Sequence, residues 1–376
     1  MTHATAHPIQ DTTFVNEQRL NTRQWLMVTG LVAVVLLAVP RLWARLERFD
    51  IGADYRIPYS LSKDYWLYER RLNQPAEPGQ VTVLGDSVMW GEYVLPDGTL
   101  PHFLNQVTGA TNQFINAGVN GLFPLAMEGL LKHYGGALHD RKILLHCNPL
   151  WMSSPQADLQ SEQDREVNHA RLLPQFFPRI PAYKADANER LGAVIERNIR
   201  FLGWATHLQD AYYGQQNELD WTLAKGNAYR NPFAPITLTV PVSPAEDAKR
   251  GPRSRRHKSW TATSDGPTQL AWVPLETSLQ WGAFQRTVAL LRARGNEVLV
   301  LVGPFNEHML TAENRAAYRQ WHASIVAWLN SQQIPQVAPD PLPSALYADA
   351  SHPLTEGYRL LAEQLSQNRT FKAWLK

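Results

Sequence analysis

Cysteine is almost absent from this sequence of 376 residues, because Cys147 is the only one. A single cysteine forms no disulfide within the chain and cannot build a cysteine-rich metal site. Excess charge is lacking as well, since the formal net charge is +2. This near-neutral balance gives no reason to expect a nucleic-acid partner. His133, His139 and His146 lack the spacing typical of metal ligands, and we expect neither a metal nor another cofactor.

Charged residues are missing from one long segment near the start of the chain. The segment QWLMVTGLVAVVLLAVPRLW, residues 24–43, has no charged residue between Arg23 and Arg41. Such a stretch is just long enough to cross a bilayer. A cleaved signal peptide is the alternative, but a long polar leader precedes the segment and arginines directly follow it. We therefore expect a retained transmembrane anchor after a cytoplasmic tail of residues 1–23.

The orientation of this anchor is ambiguous from charge. Two arginines precede it closely, at positions 19 and 23, and four follow within residues 41–56. The positive-inside rule taken alone therefore favours a cytoplasmic location for the C-terminal part of the chain.

Alternating apolar and helical segments follow a polar, tyrosine-rich connector at residues 44–80. The apolar runs are VTVLGDS (81–87), NQFINAGV (112–119), KILLHCN (142–148) and EVLVLVGPF (297–305). Buried strands that alternate with helices predict a parallel sheet covered on both faces. We assign residues 81–376 to one α/β domain with a large insertion at about 155–275.

Several polar residues and glycines follow the predicted strands closely. Ligands of such sheets collect beyond the carboxyl ends of the strands. Ser87 ends the first run and could act as a nucleophile, with His352 as its base and Asp349 as the group that orients the base. Gly121 could present a backbone amide to an oxyanion, and Asn148 a side-chain amide. Each of these residues could also have a purely structural role. Gly-Asp-Ser, for example, is common in turns.

Four motifs carry a family resemblance. GDSVMWG, NAGVNG, HCN and DASHP are similar to the four blocks of the SGNH (GDSL-type) hydrolase superfamily. The resemblance implies a flavodoxin-like αβα sandwich, a catalytic triad of Ser87, Asp349 and His352, and an oxyanion hole formed by Ser87, Gly121 and Asn148. It covers about residues 80–150 and 280–370, and neither the anchor nor the insertion.

The sequence departs from the family pattern at two places. Val88 replaces the usual leucine of the first block, and Pro149 replaces the usual aspartate of the third. The elbow motif Gly-x-Ser-x-Gly of α/β-hydrolases is absent, because Met89 stands where its second glycine would be. Asn306 and His308 follow the fourth strand and are further candidates for substrate contact, although a loop role explains them equally well.

The resemblance implies acyl transfer through an acyl-serine intermediate. The combination of anchor, SGNH-like domain and insertion resembles proteins that add or remove acetyl groups on bacterial envelope polymers, some of them partners of membrane-bound O-acyltransferases. We therefore expect a single-pass inner-membrane esterase or O-acyltransferase that acts on carbohydrate. This likeness places the domain in the periplasm, against the arginine count.

Two other functions are consistent with the same residues. The altered third block would suit a catalytically inactive module that binds a glycan or a membrane acyltransferase partner. A domain tethered at a membrane could alternatively be a lipid esterase, which would prefer long acyl chains. A binding module should keep its function when Ser87 is replaced, whereas an enzyme should lose it. A lipid esterase should prefer long acyl chains over acetyl esters.

Overall fold

The computed structural model describes residues 20–376, apart from residues 53, 76, 164–165, 225–229, 241–256 and 264–265. The predicted cytoplasmic tail therefore lies outside the described residues except for residues 20–23. Parts of the predicted insertion lie outside them too.

Five parallel strands form one sheet in the order β2-β1-β3-β4-β5. The strands are β1 Val81–Leu84, β2 Phe114–Asn116, β3 Lys142–Cys147, β4 Glu297–Val302 and β5 Gln336–Val337. The predicted α/β class and parallel sheet are confirmed. The strand β5 was not predicted, because its two residues are too few to show an apolar run.

Helices flank the sheet and connect its strands. They are α1 Thr22–Leu46, α2 Tyr65–Leu72, α3 Ser87–Trp90, α4 Leu100–Thr108, α5 Pro124–Tyr134, α6 Ala187–Asn198, α7 Arg200–Tyr212, α8 Glu218–Leu223, α9 Trp260–Thr263, α10 Leu279–Ala293, α11 Ala312–Ser331, α12 Thr355–Gln367 and α13 Arg369–Leu375. The helices α6 to α9 belong to the predicted insertion.

Two hydrophobic core clusters lie on opposite faces of the sheet. Side chains alternate across a strand, so Ile143 and Leu145 of β3 join one cluster and Leu144 joins the other. The first cluster includes buried side chains of α5, α10 and α11, and the second includes those of α4, α12 and α13. Helices on both faces leave the carboxyl ends of the strands as the open edge.

The helix α1 is long and apolar enough to cross a membrane. Nearly all of its side chains are exposed, including Leu26 at 70% and Leu31 at 65%. Burial against protein would be expected for such a helix in a soluble core, whereas α1 leaves its apolar surface uncovered. This exposure is consistent with a single membrane anchor.

A buried ionic cluster joins the end of α1 to the domain. His207 of α7 contacts two carboxylates, with Nε2 2.8 Å from Glu47 Oε1 and Nδ1 2.6 Å from Asp64 Oδ2. Tyr212 donates to Glu47 over 2.6 Å, and Arg70 pairs with the same carboxylate. The carboxylates outweigh the burial that would lower the pKa of His207, and they raise it to about 10. The imidazole is therefore charged and fixes α1 to the insertion and to the connector.

The predicted connector is itself part of the core. Leu67, Tyr68 and Leu72 of α2 are almost completely buried. Further contacts reach α3, because Arg56 donates to the carbonyl oxygens of Trp90 and Gly91 at 3.1 and 2.5 Å. Residues 55–72 thus hold the segment that carries the predicted nucleophile.

Candidate active site

Ser87 lies at the point where β1 gives way to α3. Asp86 is the N-cap residue of this short helix, and its Oδ1 accepts a hydrogen bond from the Val88 amide over 2.9 Å. The neighbours of Ser87 on both sides are buried, whereas Ser87 itself is partly exposed. The strand-to-helix turn therefore presents one hydroxyl at the carboxyl edge of the sheet.

The structure brings Ser87, His352 and Asp349 together. His352 Nε2 lies 2.8 Å from Ser87 Oγ. On the other side of the ring, His352 Nδ1 lies 2.9 and 2.8 Å from the two carboxylate oxygens of Asp349. A carboxylate can only accept, so Nδ1 carries the proton and Nε2 accepts from the serine hydroxyl. This is the arrangement that a serine nucleophile and its base require.

The side chain of Asp349 also stabilises the loop that contains Asp349 and His352. Its Oδ1 accepts from the backbone amides of Ser351 and His352 at 2.9 and 3.0 Å. Burial opposes the charge on Asp349, but His352 and these amides together lower its pKa below the ordinary value. The carboxylate is therefore ionised at neutral pH and fixes the imidazole.

The pKa of His352 is raised above its ordinary value of 6.5. Burial of the ring works against protonation, but the charge and hydrogen bond of Asp349 outweigh it, with smaller contributions from Asp86 and Glu92. A base with a raised pKa takes a proton from serine more readily.

The backbone amides of Ser87 and Gly121 are two of the predicted oxyanion donors. Gly121 has φ +71°, a left-handed conformation that favours glycine, and an added Cβ would lie 2.6 Å from Asn168 Nδ2. Among the described residues, neither amide donates to another group. Gly118 permits the approach of this loop to α3, since a Cβ there would lie 2.5 Å from the Trp90 amide nitrogen.

Asn148, the third predicted oxyanion donor, is buried at the end of β3 and already has acceptors. Its Nδ2 donates to Asp86 Oδ2 over 2.8 Å and lies 3.4 Å from Ser351 Oγ. The longer contact is the weaker one, so the N–H directed at Ser351 is the one that an oxyanion could take.

Asp86 is a central residue of the site that the sequence analysis did not single out. Its carboxylate is buried and, besides the Val88 and Asn148 bonds, accepts from Trp151 Nε1 at 2.8 Å and contacts His146 Nδ1 at 3.1 Å. Burial would raise its pKa, but His146 and Asn148 outweigh this and lower it to about 2. The sequence shows an acidic residue before Ser87. It does not show the side-chain partners of Asp86, because His146, Asn148 and Trp151 lie about sixty positions further along the chain.

The insertion supports the loop that contains Gly121. His169 is buried, and its Nε2 donates to the carbonyl oxygen of Asn120 over 2.7 Å. The other ring nitrogen accepts from Tyr65 in the connector at 3.1 Å. Burial lowers the pKa of His169 to about 4, so the ring is neutral and this division of donor and acceptor is fixed.

Asn306 and His308, the predicted substrate contacts, occupy different surroundings. Asn306 is fully buried, and its backbone amide donates to Ala350 over 2.8 Å while its Oδ1 accepts from Ser344 at 3.1 Å. It therefore supports the loop of Asp349 and His352. His308 is exposed on a short 3₁₀ turn, Glu307–Met309.

Tyr93 is a further residue beside the triad. Its ring meets that of His352 edge-on, with centroids 5.3 Å apart, and it lies 4.2 Å from the His257 ring. Burial and the neighbouring Asp349 raise the pKa of Tyr93 to about 12, so its hydroxyl keeps its proton at neutral pH. Nothing in the spacing of the sequence places Tyr93 or His257 near His352.

Metal-ligand groups are not found in the part of the chain that the structure describes, where no three His, Cys, Asp or Glu side chains are arranged to hold an ion. No protein-family model matches this chain, and no curated protein matches it. The candidate site therefore depends on its own geometry.

Proposed function

We propose that this chain is a membrane-anchored serine esterase or O-acyltransferase of SGNH type, which acts on cell-envelope or extracellular carbohydrate. The 2.8 Å contact between Ser87 Oγ and His352 Nε2, with Asp349 on the far nitrogen, carries this proposal. Two features add support. The strand order 2-1-3-4-5 is that of flavodoxin-like sheets, and the exposed apolar surface of α1 suits a single-pass anchor.

The reaction proceeds in two acyl transfers. Ser87 Oγ attacks the ester carbonyl carbon while its proton passes to His352 Nε2. The amides of Ser87 and Gly121, together with Asn148, stabilise the negative oxygen that forms. Collapse breaks the bond to the leaving alcohol, whose oxygen takes the proton from His352. Water or a sugar hydroxyl then gives its proton to His352, attacks the acyl carbon and releases Ser87 with its proton restored.

The location outside the cytoplasm follows from the proposed substrate. Envelope polymers lie beyond the inner membrane, and α1 together with the ionic cluster of His207 would hold the domain close to that surface. A membrane-bound O-acyltransferase could supply the acyl group from the cytoplasmic side. The proposed substrate takes precedence over the arginine count, because the two flanks of the anchor differ by only two arginines.

A fluorophosphonate probe tests the proposal directly, because it labels only activated serines. The full-length protein in detergent should be labelled, and Ser87→Ala and His352→Ala should abolish labelling while circular dichroism remains unchanged. Ser324→Ala and His139→Ala are matched controls, since both residues are exposed and lie in other parts of the fold. These controls should label like the wild type.

A catalytically inactive binding module is the alternative outcome of this test. The observation that favours it is that the Asn148 amide already has two acceptors, Asp86 Oδ2 at 2.8 Å and Ser351 Oγ at 3.4 Å, so an oxyanion would have to displace the second. A folded wild-type protein that takes up no probe would support this alternative and contradict the enzyme proposal.

A further inference from the structure

An apolar pocket lies beside the predicted oxyanion loop. Gly121 forms part of its wall, and the pocket, which is partly open to solvent, holds about 50 Å³ of space for the centres of water-sized atoms. Its apolar lining comes from the start of α5 with its N-cap residue and from the insertion: Phe123, Leu125, Ala126, Leu159, Val167 and Leu173. We call it the Gly121 pocket. The amide of Gly121 is a proposed oxyanion donor, so the pocket and the proposed active site share this residue.

One buried polar side chain of this pocket has unused donors. Gln280, at the start of α10, has no exposed surface, and its Oε1 accepts from the Leu125 amide over 3.0 Å. Among the described residues its Nε2 has no hydrogen-bond partner. A buried amide without an acceptor is costly, and native structures usually provide one. The other polar side chains of the lining, Glu166 and Asn168, are exposed, so an oxygen atom of a bound ligand would be that acceptor on the buried side of the pocket.

Charge and size restrict the ligand further. Glu166 is an exposed acidic residue that also lines the pocket, so an acyl group with a terminal carboxylate would be repelled. The limited volume has room for a few carbon atoms and not for a long fatty chain. Sugar rings usually bind in wider and more polar clefts, whereas apolar walls suit the acyl part of an ester.

We propose that the Gly121 pocket holds the acyl group of the substrate, and that this group is short, uncharged and carries an oxygen atom beyond its ester carbonyl. The Nε2 of Gln280 donates a hydrogen bond to that oxygen. A 3-hydroxybutyryl group fits this description. The inference rests on the proposed acyl transfer through Ser87, and it adds the residue that selects the acyl group.

The test compares nitrophenyl esters that differ only in the acyl group: acetate, butyrate, 3-hydroxybutyrate and octanoate. Full-length protein in detergent should have a kcat/KM for 3-hydroxybutyrate about tenfold above that for butyrate, as expected for one well-made hydrogen bond. Gln280→Met keeps the length of the side chain without its donors, and it should reduce this ratio to about one. Gln320→Met, an exposed change on α11, should keep the wild-type ratio.

A second variant, Val167→Trp, tests the pocket independently of whether Gln280→Met folds. Val167 is partly exposed at the pocket, so Val167→Trp fills it from the loop side. This change should lower turnover of both four-carbon esters relative to acetate.

The outcomes separate the two proposals. Turnover of the esters with the same ratio in wild type and Gln280→Met, or with octanoate as the best substrate, overturns the pocket proposal and leaves Ser87 as the nucleophile. If Gln280→Met does not fold, equal four-carbon to acetate ratios in Val167→Trp and wild type overturn it. Failure of the wild type to release nitrophenol from any ester, together with the absence of probe labelling, overturns both.

Discussion

Asn148 Nδ2 donates a hydrogen bond over 2.8 Å to Oδ2 of Asp86, the residue that directly precedes the proposed nucleophile. The contact joins the carboxyl ends of β1 and β3. It also fixes the orientation of the Asn148 amide, because one of its hydrogens is committed to Asp86. The position of one proposed oxyanion donor therefore depends on a buried carboxylate that takes no part in the proposed proton transfers.

Replacement of Asp86 should destabilise the protein strongly. Asp86→Ala leaves the side chains of His146, Asn148 and Trp151 without their acceptor, and we expect the free energy of unfolding to fall by about 3 kcal/mol. Denaturant titration followed by circular dichroism measures this. Asp340→Ala is the control, because Asp340 is exposed and should change stability by less than about 0.5 kcal/mol.

The same carboxylate gives a prediction for acid stability. The pKa of Asp86 is lowered to about 2 in the fold, so its stabilising contribution is complete above the unfolded value near 4 and is lost as the pH falls toward 2. Asp86→Asn should therefore flatten the loss of stability between about pH 4 and pH 2. Equal slopes for the wild type and the variant would argue against a charged Asp86.

The activity should depend on pH through His352. A general base must be neutral, and the raised pKa of His352 means that kcat/KM rises with pH around a midpoint above 6.5. Asp349→Asn removes the charge that raises this pKa and should move the midpoint of the residual activity to lower pH, with a loss of about 10³ to 10⁴ in kcat. Rate profiles with a single ester measure both effects. A wild-type midpoint below 6.5 would contradict the geometry of the pair.

Gly121 should be required for catalysis rather than for folding alone. Gly121→Ala places a Cβ against Asn168 in a left-handed conformation, so the loop shifts and kcat falls by about 10² or more. Gly109 is a matched control, since its φ of +69° is nearly the same and an added Cβ meets no atom within 4 Å. Gly109→Ala should cost about 1 kcal/mol of stability and leave kcat unchanged. Equal kcat losses in the two variants would remove Gly121 from the site.

The ionic cluster of His207 should stabilise the attachment of α1 to the domain. Because the pKa of His207 is raised to about 10, its contribution is complete below the unfolded value near 6.5 and is lost as the pH rises through 10. His207→Ala leaves buried Glu47 and Asp64 without their cation, and it should lower Tm in detergent by several degrees at pH 7. The difference from wild type should shrink above pH 10. The exposed His139→Ala variant should match the wild-type Tm throughout.

The local pattern of the sequence determined the sheet and the position of the proposed nucleophile. Four apolar runs that end in small or polar residues predicted four of the strands, and the parallel arrangement follows from the helices between them. The apolar segment of residues 24–43, which has no charged residue between Arg23 and Arg41, predicted α1 in the same way. These features depend on near neighbours in the chain, so periodicity and composition reveal them. The strand β5 was not predicted because it has only two residues.

Tertiary structure decided the partners of each side chain. Ser87 and His352 are 265 positions apart, and only the packing of α12 beside β1 and α3 brings them within 2.8 Å. The same holds for three other pairs in contact: Asp86 with Trp151, His169 with Asn120, and Gln280 with Leu125. Burial, unpaired donors and shifted pKa values arise from such long-range contacts. A sequence states which groups are present, whereas their surroundings exist only once the chain has folded, because each of these interactions depends on atoms a few ångströms apart.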